Sequence, residues 1–466
     1  MNAGEDRVSP RRSPGPQVLL GLVALAVAMW LMRGFVVDDA WIPVRYARHI
    51  ASGEGHSFNA GAITDGCTSL VYPWLLSLLA HGSAATAMEN VTMLGRAITF
   101  VTMAAVLWHV ATSTLDGEDA RGTKGRARSL VLLFAGPLYC WPLVAYAGVG
   151  LETPWAAALA VGAVLTSKRE KANASALLAG MAALFRPEMV VWAAVFTWFA
   201  SRRIRACLLS VMPFVIVALV RLSVFGRAYP LSIAAKPSDL SHGATYALAS
   251  LLLIGAPIAF LTLRSPLARA ASLAFLAHTL VVIAVGGDWM PFARLFAPVL
   301  PTLYLFAHED RVFRRARFAL ALAGPLWLAH LSIQTTPLRA ERASWIEQAT
   351  PVLRGARRVA ALDIGWVSAT TEADIVDLAG LTDPAIARLP GGHTSKRIDA
   401  NYFLDRAPDA WVVWSESSKE GDDAFGPAAK RVVDERLRRD PRIQSAYARA
   451  FEFDASNGKM VVYARR

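Results

Sequence analysis

Long apolar segments recur through most of this chain, and they constrain its fold more than any other feature. The chain has 466 residues, of which 55% are hydrophobic and 18% are charged, whereas soluble domains carry about 25% charged residues. Apolar runs in this number are typical of helices that cross a membrane. They exclude a disordered chain, a coiled coil and a purely soluble enzyme.

The hydrophobic pattern predicts about eleven transmembrane helices. The first covers 17–36, follows three arginines and lacks a cleavage site, so we interpret it as an uncleaved anchor. The segment 68–82 is short and contains Pro73, and we interpret it as an interfacial helix. The pair of segments around Arg186-Pro187 is also compatible with one broken helix. The remaining segments are 90–115, 129–147, 153–167, 173–185, 188–201, 206–224, 246–263, 268–286, 295–307 and 318–334.

The distribution of Lys and Arg predicts which loops face the cytoplasm. With 68–82 left out of the count, the basic clusters fall on one side, as the positive-inside rule requires. The tail 1–16 is then cytoplasmic in an inner (cytoplasmic) membrane. The net charge of +12 therefore reflects topology in a lipid bilayer and not nucleic-acid binding. The basic loops are 116–128, 168–172, 201–205, 264–269 and 308–317.

Charge density changes near residue 335 and predicts two domains. We count 28 Lys and Arg against 17 Asp and Glu before this point, and 20 against 19 after it. The pattern indicates a membrane domain over 17–334 and an extracytoplasmic soluble α/β domain over 335–466. Strands are predicted at 358–363, 373–378 and 410–415, a helix at 426–439, and a hairpin of 447–455 and 459–465 around Asn457-Gly458. Neither a G-x-G-x-x-G motif nor a P-loop is present.

The loop 37–67 begins with adjacent carboxylates, Asp38 and Asp39, at the end of the first apolar segment. Carboxylates in this position carry a desolvation cost. One could act as general base on an acceptor hydroxyl, while the other orients it, holds a cation or shifts its neighbour's pKa. The alternative is that they only mark the end of the span. The following residues, 40–51, have helical spacing, with Trp41 on one side and Arg45 on another.

Metal and disulfide chemistry receive little support from the sequence. His49 and His56 lack a tight carboxylate pattern, and a metal site is not predicted from them. Cys67, Cys140 and Cys207 lie far apart without a C-x-x-C motif, so they are interpreted as apolar fillers.

The other loops on the same side collect charged and aromatic residues. Because all of them share one face of the membrane, they predict a single active site there. The cations suit an anionic lipid headgroup, since arginine pairs bidentately with phosphate oxygens. For Arg186 and Glu188 a buried ion pair is an equal alternative. Together with the first loop, which contributes Asp38, Asp39, Trp41 and Tyr46, these loops supply the carboxylates Glu152 and Asp288, the cations Arg186, Lys236 and Arg294, and the aromatics Tyr229 and Trp289.

In their order along the chain these motifs resemble the GT-C superfamily of polytopic glycosyltransferases, which use polyprenyl-phosphate sugars. The chain is most similar to the branch of mycobacterial terminal arabinofuranosyltransferases. The matching landmarks are Asp38-Asp39-Ala40-Trp41-Ile42 with Arg45-Tyr46-Ala47-Arg48, Gly53 to Gly61, Asp65 to Ser69, Gly150-Leu151-Glu152-Thr153, Arg186-Pro187-Glu188, Tyr229-Pro230 with Lys236, Gly286-Gly287-Asp288 with Arg294, and, in the soluble domain, Asp363-Ile364-Gly365 with Asp377 to Pro384.

This resemblance implies a fold and a reaction. The fold is a polytopic α-helical GT-C membrane domain joined to a small α/β domain. The reaction is inverting transfer of a sugar from a polyprenyl-phosphate donor to a glycan or lipid acceptor of the cell envelope. The acidic pair Asp38 and Asp39 would be catalytic, and Arg186, Lys236 and Arg294 would hold the donor phosphate. The remaining residues implied in substrate binding are Trp41, Arg45, Tyr46, His56, Glu152, Glu188, Tyr229, Asp288 and Trp289.

Several points stay open at this stage. The resemblance does not fix a cofactor, and a role for a divalent cation is left open. Arabinofuranose follows only from the most similar branch. Two other functions are compatible with the sequence: a transporter or flippase for a lipid-linked saccharide, and a non-catalytic scaffold or control factor of envelope assembly. A transporter more often shows internal repeats, and a scaffold needs no acidic pair.

Overall fold

The structure is a computed structural model that describes residues 15–115, 123–167, 171–236, 238–254, 261–309, 314–416, 425–455 and 458–466. Some predicted features lie outside these residues. They are most of the tail 1–16, residues 116–122 of one basic loop, residues 168–170 of another, residues 310–313 of a third, residues 255–260 of the segment 246–263, and Asn457 of the hairpin.

Helices dominate the part of the chain before residue 353. Four of them are long and apolar enough to cross a membrane: Gly15–Gly34, Ala84–Thr114, Ile204–Phe225 and Pro266–Ala284. Other apolar helices are shorter than the roughly 20 residues that a perpendicular span requires. The helices are α1 (Gly15–Leu31), α2 (Trp41–Ala51), α3 (Val71–Leu76), α4 (Ala84–Leu115), α5 (Thr123–Tyr139), α6 (Trp141–Tyr146), α7 (Thr153–Ser167), α8 (Ala172–Phe185), α9 (Met189–Ser201), α10 (Ile204–Phe225), α11 (Leu231–Ala235), α12 (Leu240–Leu253), α13 (Pro266–Ala284), α14 (Leu300–Tyr304) and α15 (Arg314–Leu353).

The exposed surface of α10 is apolar, which fits contact with lipid. Leu208 and Leu219 are 67% and 59% exposed, and the whole helix carries few charged residues. Exposed leucines in a row are unfavourable in water. The protein is therefore at least partly a helical membrane protein.

Small residues let the helices around α8 approach closely. A Cβ at Gly180 would lie 2.5 Å from the carbonyl oxygen of Ser210 on α10, so only glycine fits this crossing. Helices α8 and α9 pack against each other. The residues around Arg186-Pro187 thus form the turn of a helical hairpin and not a break within one helix, because proline cannot continue α8.

The first loop packs onto the C-terminal part of the chain. A 3₁₀ turn, Asp38–Ala40, leads into α2, and a short hairpin of β1 (Ser57–Asn59) and β2 (Ala62–Ile63) follows. Ile42, Tyr46 and Phe58 share one hydrophobic core with the buried tryptophans of the C-terminal sheet region. In the segment 68–82 the helix is limited to α3.

Helix α15 runs through residue 335, where the charge density changes, and leads directly into the C-terminal sheet. Five strands pair in the order β4-β3-β5-β7-β6. The first three are parallel, and the last two form an antiparallel hairpin. The strands are β3 (Arg358–Ala361), β4 (Asp374–Asp377), β5 (Ala410–Ser415), β6 (Tyr447–Ala455) and β7 (Gly458–Arg465), and the helices between them are α16 (Ile364–Ser368), α17 (Pro384–Ala387), α18 (Ala400–Arg406), α19 (Val432–Arg438) and α20 (Pro441–Ala446).

All five predicted strands are confirmed, and one predicted helix begins later than expected. The helix predicted at 426–439 starts at Val432. Gly426 has a φ of +138°, and Ala429 pairs with Ser415 in an antiparallel bridge. The segment before Val432 therefore extends along the sheet, which the helical spacing of its side chains did not indicate.

Candidate functional site

A cavity of about 790 Å³ lies between the first loop, the residues just before α7 and α9, the end of α13 and the chain before α12. Its wall brings together eight of the residues singled out from the sequence. They come from separate parts of the chain, and only the fold makes them neighbours. These residues are Asp39, Glu152, Arg186, Glu188, Tyr229, Lys236, Asp288 and Arg294.

Glu152 lies between two arginines and pairs with both of them through one carboxylate oxygen. Arg294 Nη2 donates to Glu152 Oε1 at 3.1 Å, and Arg186 Nη1 lies 3.4 Å from the same oxygen. Arg294 Nη1 also donates to Asp288 Oδ2 at 3.4 Å. Burial alone would raise the pKa of Asp288, but the charges of Arg294, Lys236 and Arg186 outweigh it and lower that pKa.

Both arginines have buried N–H groups that form no hydrogen bond with the described residues: Arg186 Nε and Nη2 and Arg294 Nε. Arg186 Nε does lie 3.6 Å from Glu188 Oε1, so the buried ion pair given as the alternative for these two residues is present. Both side chains are largely buried, at 3% and 9% exposure. A buried donor without an acceptor costs about 1–3 kcal/mol, and more when it is charged. An anionic oxygen entering the cavity would remove this cost.

The backbone beside Arg294 adopts an unusual conformation. Phe292 and Ala293 both have positive φ, at 65° and 51°. Such backbone is uncommon outside glycine and clusters at functional sites. Gly287 on the same segment has a φ of +71°, and a Cβ there would lie 2.7 Å from Tyr246. Local strain and close packing thus fix the segment that carries Asp288 and Arg294.

The two adjacent aspartates point in different directions. Asp39 lines the cavity, and its Oδ2 lies 3.9 Å from Lys236 Nζ. The Asp38 carboxylate instead accepts hydrogen bonds from the backbone N–H groups of Gly365 and Trp366, at 2.9 and 2.7 Å. Burial, followed by the charges of Asp363 and Asp39, raises the pKa of Asp38 to about 7. Asp38 therefore joins the first loop to the C-terminal region, and Asp39 faces the cavity.

The wall of the cavity combines charged and apolar side chains. Beyond the charged residues it includes side chains from α2, α9, α10, α11 and α13. Phe214 lies 11 residues before the end of α10 at Phe225, about 16 Å along the helix at 1.5 Å per residue. The apolar wall includes Val190, Phe214, Val281, Ala284, Val285 and Leu295.

Other residues predicted to bind substrate lie outside this wall. Arg45 is buried and donates to the carbonyl oxygens of Phe58, Thr371 and Ala373. It holds the first loop against the C-terminal sheet. An interfacial helix would have left Arg45 exposed, so this role was not predicted. Trp41 packs on the C-terminal core.

Tyr46 and His56 form part of the support beneath the cavity. The Tyr46 hydroxyl bonds to Thr64 Oγ1 at 2.7 Å and accepts from the Gly66 N–H at 2.9 Å. The His56 ring lies 4.7 Å from the Tyr46 ring, and burial lowers the pKa of His56 to about 4. Trp289 lines a second, adjoining cavity and not the first.

One buried ion pair was missed in the sequence. Arg221 Nε donates to Asp65 Oδ2 at 2.9 Å, and Arg221 Nη2 donates to the carbonyl oxygens of Cys67 and Thr68. Cys67 and Thr68 line the cavity, so this pair shapes its wall. An arginine near the end of an apolar helix was the available signal, because charged groups in such helices rarely lack a partner.

Among the described residues, no group of three or more His, Cys, Asp or Glu side chains is placed to hold a metal ion. The charged cavity is therefore best described as a mixed site, with four carboxylates and three cations in its wall. Such a site suits a ligand that combines an anionic group with hydroxyl or ether oxygens.

Comparison with known proteins gives one match. Residues 329–463 match a family model described as a domain of unknown function (DUF8728). This match covers the end of α15 and the C-terminal sheet. No curated protein and no solved structure matches the chain.

Proposed function

We propose that the protein is an integral-membrane inverting glycosyltransferase of the GT-C type, which moves a sugar from a polyprenyl-phosphate donor to an acceptor hydroxyl. In this proposal about eleven segments span the membrane, counting the shorter apolar helices. The charged residues of the cavity wall and the C-terminal sheet lie on the extracytoplasmic side of the cytoplasmic membrane. The acceptor is a glycan or lipid of the cell envelope.

The amphipathic lining of the cavity is the observation that carries this proposal. Arg186, Lys236 and Arg294 line it together, and both arginines have buried N–H donors that form no hydrogen bond with the described residues. The same wall carries apolar side chains from α9, α10 and α13, among them Phe214. A donor with a phosphate and a long hydrocarbon chain matches both kinds of lining, because arginine binds phosphate through two parallel N–H donors.

Asp39 is the proposed general base. It is the member of the aspartate pair that lines the cavity, while Asp38 is held by the backbone of Gly365 and Trp366. In the reaction the acceptor oxygen forms a bond to the anomeric carbon as its proton passes to Asp39. The bond from that carbon to the phosphate oxygen breaks, and polyprenyl phosphate leaves with the electron pair.

The charged residues of the wall would stabilise both the departing phosphate and the anomeric carbon in this step. The arginines would stabilise the negative charge of the departing phosphate. The anomeric carbon becomes positively charged in the transition state, and Glu152 and Asp288 lie in the same wall. Carboxylates placed near such a carbon lower the barrier electrostatically.

The test uses the full chain, purified into lipid nanodiscs, and a panel of polyprenyl-phosphate sugars. We expect the wild type to release polyprenyl phosphate from one donor, and Asp39→Asn to reduce this rate by at least about a hundredfold, the lower range for general-base catalysis. Asp405→Asn is the matched control, because Asp405 is exposed and does not line the cavity. Release that is equal in Asp39→Asn and wild type would contradict the assignment of the base.

The two alternatives give different results in the same experiment. A transporter would move a lipid-linked saccharide between leaflets without releasing polyprenyl phosphate. A scaffold would do neither. Release from no donor in the panel, in protein whose thermal unfolding is cooperative, would overturn the proposal.

A further inference from the structure

A second cavity of about 650 Å³ adjoins the first and has a different lining. The two share the lining residues Lys236 and Ser238, so they lie next to each other. The second cavity lies between the start of α12, the segment around Trp289 and the C-terminal region. Its remaining lining residues are Asp239, Leu240, Ser241, Trp289, Gly392 and His393.

Trp289 presents a large aromatic ring to this cavity. The side chain is 65% exposed, although Trp is usually well buried in folded proteins. One face of its ring stacks on His242, with 4.2 Å between ring centroids and 21° between the planes. His242 Nδ1 in turn bonds to the carbonyl oxygen of Gly286 at 2.6 Å. The indole is thus held in place by His242, and most of its surface stays accessible.

His393 lies beside Trp289 in the lining of the second cavity. Its ring lies 5.5 Å from that of Trp289, at an angle of 57°. Burial, followed by the charge of Lys236, lowers the pKa of His393 to about 4. The ring is therefore neutral at pH 7 and has one donor and one acceptor nitrogen. None of the described residues forms a hydrogen bond with it.

This combination of groups matches the chemistry of a sugar ring. A pyranose or furanose has one face of C–H bonds, which packs on an aromatic ring, and a rim of hydroxyls, which both donate and accept. Trp289 offers the aromatic face. His393, Ser238 and Ser241 offer groups that donate and accept, and the lining carries only one cation and one carboxylate. A strongly anionic or a purely apolar ligand would fit this lining poorly.

We propose that the second cavity is the acceptor subsite and that it binds a saccharide ring stacked on Trp289. This inference rests on the proposed function and narrows its acceptor from a glycan or lipid to a glycan. Lys236 connects the two sites, since it lines both cavities and lies 3.9 Å from Asp39 Oδ2. A hydroxyl of the bound sugar can therefore reach the proposed base along the shared wall.

A tryptophan that only anchors the protein at the membrane interface is the competing explanation. The contacts argue against it. An anchor faces lipid headgroups, whereas Trp289 lines a cavity together with His393 and Gly392 of the C-terminal region.

The experiment uses the full chain and compares two reactions of the donor: transfer of its sugar to an oligosaccharide, and hydrolysis by water. Wild type, Trp289→Ala and Trp289→Phe are incubated with the polyprenyl-phosphate sugar that wild type cleaves and with a panel of short furanose and pyranose oligosaccharides. Transfer to the oligosaccharide and hydrolysis by water are measured together. For Trp289→Ala we expect the acceptor KM to rise about tenfold, equal to about 1.4 kcal/mol, and the ratio of transfer to hydrolysis to fall. Trp289→Phe should restore most of the loss.

A matched control is Trp74→Ala, because Trp74 is also an exposed tryptophan, at 50% exposure, and lines neither cavity. An unchanged acceptor KM in Trp289→Ala would overturn the inference, and so would an equal loss of transfer and hydrolysis. If wild type cleaves no donor, the proposed function fails, and direct binding decides the inference separately. Saturation-transfer NMR with the same oligosaccharides should then show contact that Trp289→Ala abolishes; contact with none of them would overturn the subsite.

Discussion

Asp38 and Gly365 are 327 positions apart in the chain, yet the Gly365 N–H donates to Asp38 Oδ2 at 2.9 Å. A Cβ on Gly365 would lie 2.0 Å from the Asp38 carbonyl oxygen and 2.8 Å from its carboxyl carbon. The contact therefore needs glycine at 365 as much as it needs the carboxylate. It connects the aspartate pair of the first loop to helix α16 and, through β3, to the C-terminal sheet.

Gly365→Ala should break this connection. The added methyl group forces either the Asp38 backbone or α16 to move, and overpacking of this kind costs about 1–3 kcal/mol. Asp39 is next in the chain, so we also expect the release of polyprenyl phosphate to fall. Thermal unfolding and hydrogen exchange of residues 364–368 measure the effect. Gly162→Ala is the control, because its Cβ would meet only Leu178 at 3.6 Å. Equal stability of the two variants would contradict the expectation.

The same contact predicts how stability depends on pH. The pKa of Asp38 is about 7 in the folded protein, against an ordinary value of 3.8. The folded state thus holds this proton more tightly than the unfolded chain. Below pH 3.8 the group is protonated in both states and does not change the free energy of unfolding. As pH rises from 3.8 to about 7, the unfolded chain loses the proton first, so the free energy of unfolding decreases. Burial raises the pKa of Asp363 in the same direction.

Asp363→Asn should flatten this dependence, because it removes both the repulsion on Asp38 and a second buried carboxyl. The measurement is the thermal midpoint of the full chain across this pH range. Asp405→Asn, an exposed control, should follow wild type. A wild-type slope in Asp363→Asn would show that other groups set the dependence.

The residues of the charged wall could be predicted from the sequence, but the contacts that support the wall could not. Loop position and the sidedness of Lys and Arg were enough to select Glu152, Arg186, Lys236 and Arg294, because such loops meet at one membrane face. They could not separate Asp39 from Asp38, since adjacent residues differ only in orientation, which Gly365 and Trp366 determine. Arg45 and Tyr46 are buried by contacts with a sheet more than 300 residues later in the chain, which no local pattern indicates. Without that information they were predicted to contact a ligand. Strands were predicted well, since their alternation and turn residues are local signals.

Glu152→Gln should destabilise the protein strongly. It removes the charge shared by Arg186 and Arg294, whose side chains are 3% and 9% exposed, and breaking a buried pair costs about 3–5 kcal/mol. We also expect weaker donor binding. The matched control is Glu372→Gln, which breaks a 2.8 Å pair with Arg48 at 67% exposure of the glutamate; such surface pairs contribute about 0–1 kcal/mol. Chemical unfolding of the two variants measures the difference, and similar losses would contradict the buried network.

The pair of Asp65 and Arg221 offers a test of how the cavity wall is held. Arg221→Met leaves Asp65 buried without its counter-ion and leaves the carbonyl oxygens of Cys67 and Thr68 without their donor. Asp65→Asn leaves the arginine charge unpaired. Each single change should cost about 3–5 kcal/mol, because the remaining charge is stranded in the interior.

The double variant should lose much less than the sum of the two single losses, since it removes both charges together. Arg205→Met is the control, because Arg205 is an exposed arginine on the same helix. Unfolding free energies give the coupling, and the rate of polyprenyl-phosphate release reports on the wall. Additive losses would mean that the two side chains act independently. Strong coupling with a normal release rate would mean that the pair stabilises the fold without shaping the donor site.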